Sequence, residues 1–238
     1  MARFFIKFLL LLLIIFISGI IFISYFGIET DKFDSLIKSK ANEVNRHVKL
    51  GFQKTKIHLN LEELNLVVKL QNPKILVKND EIALSKLDLF LPLRSFFTSD
   101  FLLKRAEVAF IRNDIKDLTK ITNIFLPNII NNQLNNIFEK GYLDGEFVIP
   151  FKKDGSIGKD YAFSGKISEA SINLTKDFQI KNLTTKIKHK TINEIEAEII
   201  KGQFLNLELS GSKVEFKNEN NAKKIKTELH TSGEVNFS

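Results

Sequence analysis

The sequence predicts a mainly β protein with some helix, in which an N-terminal transmembrane helix precedes a long, curved, groove-like antiparallel sheet with short helices. Three observations support this fold class. An uncharged apolar run lies near the N-terminus, apolar residues recur at every second position through much of the remaining chain, and Gly-led or polar-bounded phrases fill the C-terminal part. The hydrophobic fraction of 44% among 238 residues is too high for a disordered chain.

The apolar run from Phe8 to Ile28 predicts a membrane anchor. It contains no charged residue over 21 positions, which matches the ~20 residues that a helix needs to cross a bilayer. A cleaved signal peptide is the alternative, but its apolar region usually has about 7–15 residues, and Ser24-Tyr-Phe-Gly27 fits a cleavage site poorly. Arg3 and Lys7 precede the run, so the positive-inside rule predicts a cytoplasmic N-terminus.

The sequence divides into four predicted segments. They are the cytoplasmic N-terminus with the anchor (1–28), an amphipathic linker helix (29–50), a β domain with a helical insertion (51–140) and a repetitive antiparallel sheet (141–238). The linker is predicted because apolar residues recur at helical spacing from Asp31 to Val48. The last strand runs to Ser238 with nothing to cover its edge, so we expect the sheet to continue in a longer protein; a complete chain is the alternative.

Local signals place the elements of the third segment. Period-two apolar residues predict strands over 57–70 and 82–91, with a turn at Asn72-Pro73 between them. A helical turn over residues 94–98 and a strand over residues 102–111 follow. Asn113 and Asp114 are candidate N-caps of an inserted helix, which Pro127 breaks or kinks, and a second helix is expected to stop at Gly141.

Composition and charge exclude several classes of protein. The absence of cysteine excludes a disulfide scaffold, a Cys-ligated zinc site, an iron–sulfur cluster and a thiol nucleophile. The net charge of +7 comes mostly from lysine, and the five arginines are scattered, so we expect no nucleic-acid partner.

Catalytic chemistry has little support in the sequence. The four histidines are scattered, and Asn113, Asp114 and Asp117 read either as a helix cap or as a metal or acid site, with capping the better explanation. We therefore expect no enzyme activity, no cofactor and no metal, and an exported enzyme that uses these three residues is the minor alternative.

Strands with one apolar face must hide that face from water. The face is either the core of a sandwich or helix-covered sheet, or the lining of a groove for acyl chains. The candidate lipid-facing residues are Phe147, Ile149, Phe151, Phe163, Ile167, Ile172, Leu174, Leu207 and Leu209.

The order of these motifs resembles the AsmA-like family of Gram-negative envelope proteins. The resemblance is carried by Tyr25-Phe-Gly27 at the end of the anchor, Leu87-Asp-Leu-Phe-Leu-Pro-Leu-Arg-Ser-Phe-Phe97, Leu103-Lys-Arg-Ala-Glu-Val-Ala-Phe-Ile-Arg112 and Tyr161-Ala-Phe-Ser-Gly-Lys-Ile167. It implies a single-pass inner-membrane protein whose periplasmic β groove takes part in phospholipid transport or outer-membrane assembly. The implied partners are membrane phospholipid and other envelope proteins, and the family has no catalytic residues to carry over.

A second hypothesis keeps the anchor but closes the sheet. In it the chain is a single-span periplasmic β-sandwich that acts as a binding or scaffold protein, similar to a lipopolysaccharide-export component. The two hypotheses differ in whether the apolar face is enclosed by a second sheet.

Overall fold

A computed structural model describes residues 2–44, 48–77, 80–96, 102–119, 136–156, 158, 160–175, 177–191, 194–219 and 222–233. The helices are α1 (Ala2–Tyr25), α2 (Asp34–Val44) and a 3₁₀ turn (Leu93–Phe96). The strands are β1 (Ile28–Thr30), β2 (Val48–Gly51), β3 (Lys54–Asn60), β4 (Asn65–Gln71), β5 (Lys74–Val77), β6 (Asp80–Pro92), β7 (Arg105–Asp114), β8 (Phe138–Pro150), β9 (Ala162–Asn173), β10 (Gln179–Thr191), β11 (Glu194–Phe204), β12 (Leu207–Glu208), β13 (Lys213–Glu219) and β14 (Ala222–Glu228).

In the described part of the chain, all these strands join one open, curved antiparallel sheet, which confirms the predicted fold class. The main spatial order is β1-β3-β4-β6-β7-β8-β9-β10-β11-β13-β14, with β2, β5 and β12 attached beside it. Strands that follow one another in the chain mostly pair with one another, as expected of hairpin connections. The described strands therefore form a single layer rather than the two packed sheets of a sandwich.

Helix α1 is long and apolar enough to cross a membrane over Phe4–Tyr25. None of its most apolar stretch is buried against the rest of the protein, and its large side chains are exposed along its length. A soluble protein would not leave such a surface in water, because each exposed apolar Å² costs about 25 cal/mol. The predicted N-terminal apolar helix is confirmed, and its properties are those of a single-pass anchor.

The junction between α1 and the sheet is short and tightly packed. Strand β1 begins three residues after α1 ends, and Ile28 lies opposite Ile57 of β3. The Ser24 hydroxyl donates a hydrogen bond to the Leu59 carbonyl at 2.8 Å. Gly27 makes the connection at φ +69°, where a Cβ would meet the His58 ring at 2.7 Å. Helix and sheet are therefore joined at a fixed point instead of through a free linker.

The turn predicted at Asn72-Pro73 is wrong, because the chain bends there without reversing its direction. Gln71 of β4 pairs with Lys54 of β3, while Lys74 of β5 pairs with Gly51 of β2, so the chain continues in the same direction through these two residues. Asn72 adopts φ +49°, and proline cannot donate a ladder hydrogen bond, so the strand kinks there without reversing.

Helix α2 occupies the middle of the predicted linker and packs on the sheet. Phe33 and Ile37 are each only 4% exposed and join the core formed by β3, β4, β6 and β7. The Thr55 hydroxyl of β3 donates a hydrogen bond to the Asp34 carboxylate. Both ends of the predicted 29–50 helix are instead strand residues of β1 and β2, because backbone pairing to the sheet outweighs the helical spacing there.

The helical insertion is only partly as predicted. A helical turn over residues 115–119 begins where expected, and the Asp114 carboxylate accepts a hydrogen bond from the Lys116 amide at 2.8 Å, as an N-cap does. Pro127 lies outside the described residues. The prediction that a second helix continues to Gly141 is wrong, because β8 already begins at Phe138, which pairs with Ile172 of β9.

Truncation of Leu91 should show how much the core beneath α2 contributes to the free energy of unfolding. This side chain is fully buried in β6. We expect Leu91→Ala to lower the free energy of unfolding by about 2–5 kcal/mol, because the neighbouring strands cannot close the cavity completely. The measurement is urea unfolding of the detergent-solubilised chain, followed by the β signal in circular dichroism.

The matched control is Leu229→Ala, since this leucine is 65% exposed. It should change the free energy of unfolding by less than about 0.5 kcal/mol. Equal effects of the two substitutions would contradict the core assignment.

Candidate functional site

The strand register gives the sheet one apolar face and one polar face, because directly opposed residues of antiparallel strands point to the same side. We define the central row as the set of mutually opposed residues that crosses the sheet from β6 to β14 on the apolar face. Its members are Leu87, Val108, Phe147, Phe163, His189, Ile195, Phe216 and Ile225.

The two ends of the central row differ in exposure. Leu87 is 8% exposed, Ile195 is 36% exposed and Ile225 is 69% exposed, while Phe147 and Phe163 are half-buried. The residues at the β6 side belong to the core on which α2 packs. The central row is therefore interior beneath α2, and its accessible members lie on β8, β9, β11, β13 and β14, on either side of the buried His189 of β10.

Two facing glycines shape the accessible part of the apolar face. Gly145 of β8 lies opposite Gly165 of β9, and the Phe163 ring extends over both, since a Cβ at Gly165 would lie 2.5 Å from it. The same ring contacts Phe147 with centroids 4.4 Å apart, and Phe147 meets Phe110 edge-on at 5.7 Å. Because the two glycines have no side chain, the Phe163 ring lies directly against the backbone. A larger residue at either position would displace the ring.

His189 is the polar member of the central row. It is 8% exposed, and its ring stacks on Tyr161 with centroids 5.0 Å apart. Its Nδ1 lies 3.1 Å from the Tyr161 carbonyl oxygen, which can only accept, so the imidazole donates this hydrogen bond. The Nδ1 atom of His189 thus has a backbone hydrogen-bond partner. The ring covers part of the apolar face as an aromatic side chain would.

The opposite face of the same strands carries charge. One row of opposed residues there consists of Asp144, Lys166, Lys186, Glu198, Lys213 and Glu228. A second sheet packed on this face would have to bury these charges, which costs several kcal/mol per unpaired ion. Apolar ligands and further protein layers are therefore restricted to the apolar face.

An ion cluster joins β6, β7 and β8 on the polar face. Lys86 Nζ lies 2.6 Å from Glu107 and 3.0 Å from Glu146, and Arg105 Nε donates to Glu107 at 3.1 Å. Burial tends to raise the pKa of Glu107, but the hydrogen bonds and positive charges of Lys86 and Arg105 outweigh it and lower that pKa below its ordinary value. Burial raises the pKa of Asp88, which Lys69 and Lys86 only partly counter.

The predicted lipid-facing residues occupy the apolar face, but not all of them are accessible. Phe147, Ile149 and Phe163 lie half-buried in its accessible part. Two others, Ile167 and Leu209, are each 7% exposed and serve as packing residues. Of the remaining four, Phe151 packs on the core beneath α2, Leu174 is 54% exposed after β9, and Leu207 lies opposite Phe204. The fourth, Ile172, packs on a second core, which consists of Ile115, Ile167, Ala170 and Leu183.

Sequence reasoning missed three members of the central row. Ile195, Phe216 and Ile225 continue the central row through β11, β13 and β14. The alternation of Glu with apolar residues over 194–199 was a visible signal for the first of these. Ile225 stands among lysines, so only the register assigns it to the apolar face.

The residues suggested for catalysis have structural contacts. Asp114 caps the helical turn, and the Asn113 amide donates to the carbonyl oxygen of Ile111. Among the described residues, no group of three or more His, Asp or Glu side chains is arranged to hold a metal ion. Capping accounts for Asp114 and the backbone hydrogen bond for Asn113, while Asp117 lies within the helical turn 115–119.

Comparisons of the chain with protein-family models, curated proteins and solved structures find no match. The AsmA-like resemblance therefore stays a prediction. What the chain offers for a functional argument is the geometry of its two faces and its anchor.

Adding a methyl group at Gly165 should disturb the aromatic surface. The new Cβ would lie 2.8 Å from the Asp144 carbonyl oxygen as well as against the Phe163 ring, so the backbone must shift. We expect Gly165→Ala to lower the free energy of unfolding by about 1–3 kcal/mol, as overpacking does. Gly51→Ala is the control, because its Cβ meets only the flexible Lys74 side chain, and it should be neutral or stabilise by up to about 1 kcal/mol. Equal effects in urea unfolding would contradict the proposed packing.

Removing the charge of Lys86 should change how stability depends on pH. Because the folded pKa of Glu107 is lowered, its contribution is present above its ordinary pKa of 4.5 and is lost as the pH falls through the folded value. We expect Lys86→Gln to reduce the free energy of unfolding by about 1 kcal/mol at neutral pH, allowing for solvent screening of this half-exposed cluster.

The difference between wild type and Lys86→Gln should close as the pH falls below 4.5. Lys166→Gln, at an exposed lysine of the same face, is the control and should stay within about 0.5 kcal/mol of wild type. A difference that persists unchanged at about pH 3 would show that the lysine acts through packing and not through charge.

Proposed function

We propose that this protein is an AsmA-like, inner-membrane-anchored envelope protein that binds phospholipid acyl chains along the apolar face of its sheet. In this proposal its N-terminus is cytoplasmic, its sheet is periplasmic, and it takes part in phospholipid transport or outer-membrane assembly. The observation that carries the proposal is the central row, which is interior beneath α2 and offers accessible apolar side chains on β8, β9, β11, β13 and β14.

The energetics of the apolar face support a lipid ligand. Ile195 and Ile225 expose large apolar side chains on either side of the half-buried Phe216, so covering them would recover about 25 cal/mol for each Å². The row of charged residues on the polar face, from Asp144 to Glu228, restricts an apolar ligand to the apolar face of the sheet. An acyl chain suits this surface because it is long, narrow and apolar, and needs no hydrogen-bond partners from the row.

The position of the anchor supports a connection between a membrane and this face. Helix α1 joins the sheet at the β1–β3 edge, and β14 lies at the far end of the eleven-strand path. At ~4.8 Å per strand, the path is about 50 Å along the sheet, and its accessible part from β8 to β14 is about 24 Å. The far end of the sheet is thus separated from α1 by a path several times longer than a headgroup layer is thick.

Photo-crosslinking would test this function directly. Photoreactive amino acids at Phe147, Ile149, Phe163 and Ile195 of the full chain, expressed in a Gram-negative host, should capture phospholipid on irradiation. The expected product is a covalent lipid adduct, identified by mass spectrometry of the purified protein.

Matched controls lie one residue away on the polar face, at Ser164 and Glu196. Each control lies on the same strand as its apolar neighbour and differs from it mainly in the face that it occupies. The controls should therefore capture several-fold less lipid. Capture only of neighbouring protein segments at the apolar positions would overturn the proposal, and so would equal lipid capture on the two faces.

A further inference from the structure

The turn between β3 and β4 presents two exposed leucines. Leu61 is 45% exposed, and Leu64 is 63% exposed with φ +51°. The Asn60 side chain accepts hydrogen bonds from the amides of Glu62 and Glu63 at 3.0 and 3.2 Å, which fixes the shape of the turn. We call residues 61–64 the hairpin tip.

The acidic residues of the hairpin tip are not equivalent. Both carboxylate oxygens of Glu63 accept from Arg105 at 2.9 Å, and one also accepts from the Asn65 amide at 2.9 Å. The positive charge of Arg105 therefore compensates the negative charge of Glu63, and these hydrogen bonds hold the Glu63 side chain against β4 and β7. Leu61, Glu62 and Leu64 are the other exposed side chains of the turn.

The contact between α1 and β3 determines where the hairpin tip lies relative to a membrane. Ser24, next to the last residue of the apolar span Phe4–Tyr25, bonds to Leu59. Strand β3 runs toward this contact, and Leu61 follows two residues later, at most about 7 Å farther on. The polar layer on each side of a ~30 Å hydrocarbon core is about 5–7 Å thick, so the tip lies at the level of that layer.

We infer that the hairpin tip is a second membrane contact, in which Leu61 and Leu64 enter the boundary between headgroups and acyl chains beside α1. Tyr25 and Phe26, which are 78% and 63% exposed, end the helix at the same level, where aromatic residues favour the interface. Two contacts on the bilayer restrict rotation of the sheet about α1. This inference depends on α1 spanning a membrane and not on lipid binding along the central row.

The absence of native cysteine allows a clean labelling test. An environment-sensitive fluorophore is attached at Leu64→Cys in the otherwise complete chain, reconstituted in phosphatidylcholine vesicles. Leu205→Cys is the matched control, because Leu205 is 62% exposed at φ +54° in a turn at the opposite end of the strands.

The label at position 64 should show blue-shifted emission, several-fold stronger quenching by lipids with a nitroxide near the headgroup, and weaker quenching by aqueous iodide than the label at position 205. If the two labels behave alike in vesicles, the inference is overturned. Circular dichroism checks folding, and if Leu64→Cys does not fold, Leu61→Cys is read against the same control by the same criteria.

Discussion

The antiparallel ladder imposes the constraint on which the rest of this structure depends. Opposed residues share a face, so the two-residue period of β6 to β14 places apolar side chains on one side and charges on the other. A slip of one residue in any of these pairings would exchange the two faces of that strand. The core beneath α2, the accessible central row and the ion cluster around Lys86 all follow from this register.

Much of the fold could be predicted because its signals are local. The uncharged run predicts α1, the alternation of Leu87, Leu89 and Leu91 predicts β6, and the carboxylate of Asp114 predicts the start of a helix. The errors lie where long-range pairing decides. Asn72-Pro73 has turn composition, yet β4 before it pairs with β3 and β5 after it pairs with β2, and these two ladders hold the chain in one direction.

The candidate site was predictable in kind but not in extent. Apolar spacing identified Phe147 and Phe163, and the structure places them opposite each other. Spacing could not tell that Ile167 and Leu209 are buried by packing, because burial depends on neighbours that are distant in sequence. Nor could it identify Ile225, whose surroundings in sequence are basic and whose face is set by pairing with Phe216.

The increase in exposure from Leu87 to Ile225 has a thermodynamic meaning for any apolar molecule that touches the sheet. The free energy gained on contact grows with the apolar area removed from water, so it is smallest beside α2, where α2 already covers the strands, and largest at the outer strands. The two ends of the sheet therefore differ in the apolar area that they offer for contact, with the smaller area at the strands nearest the anchor and the larger area at the strands farthest from it.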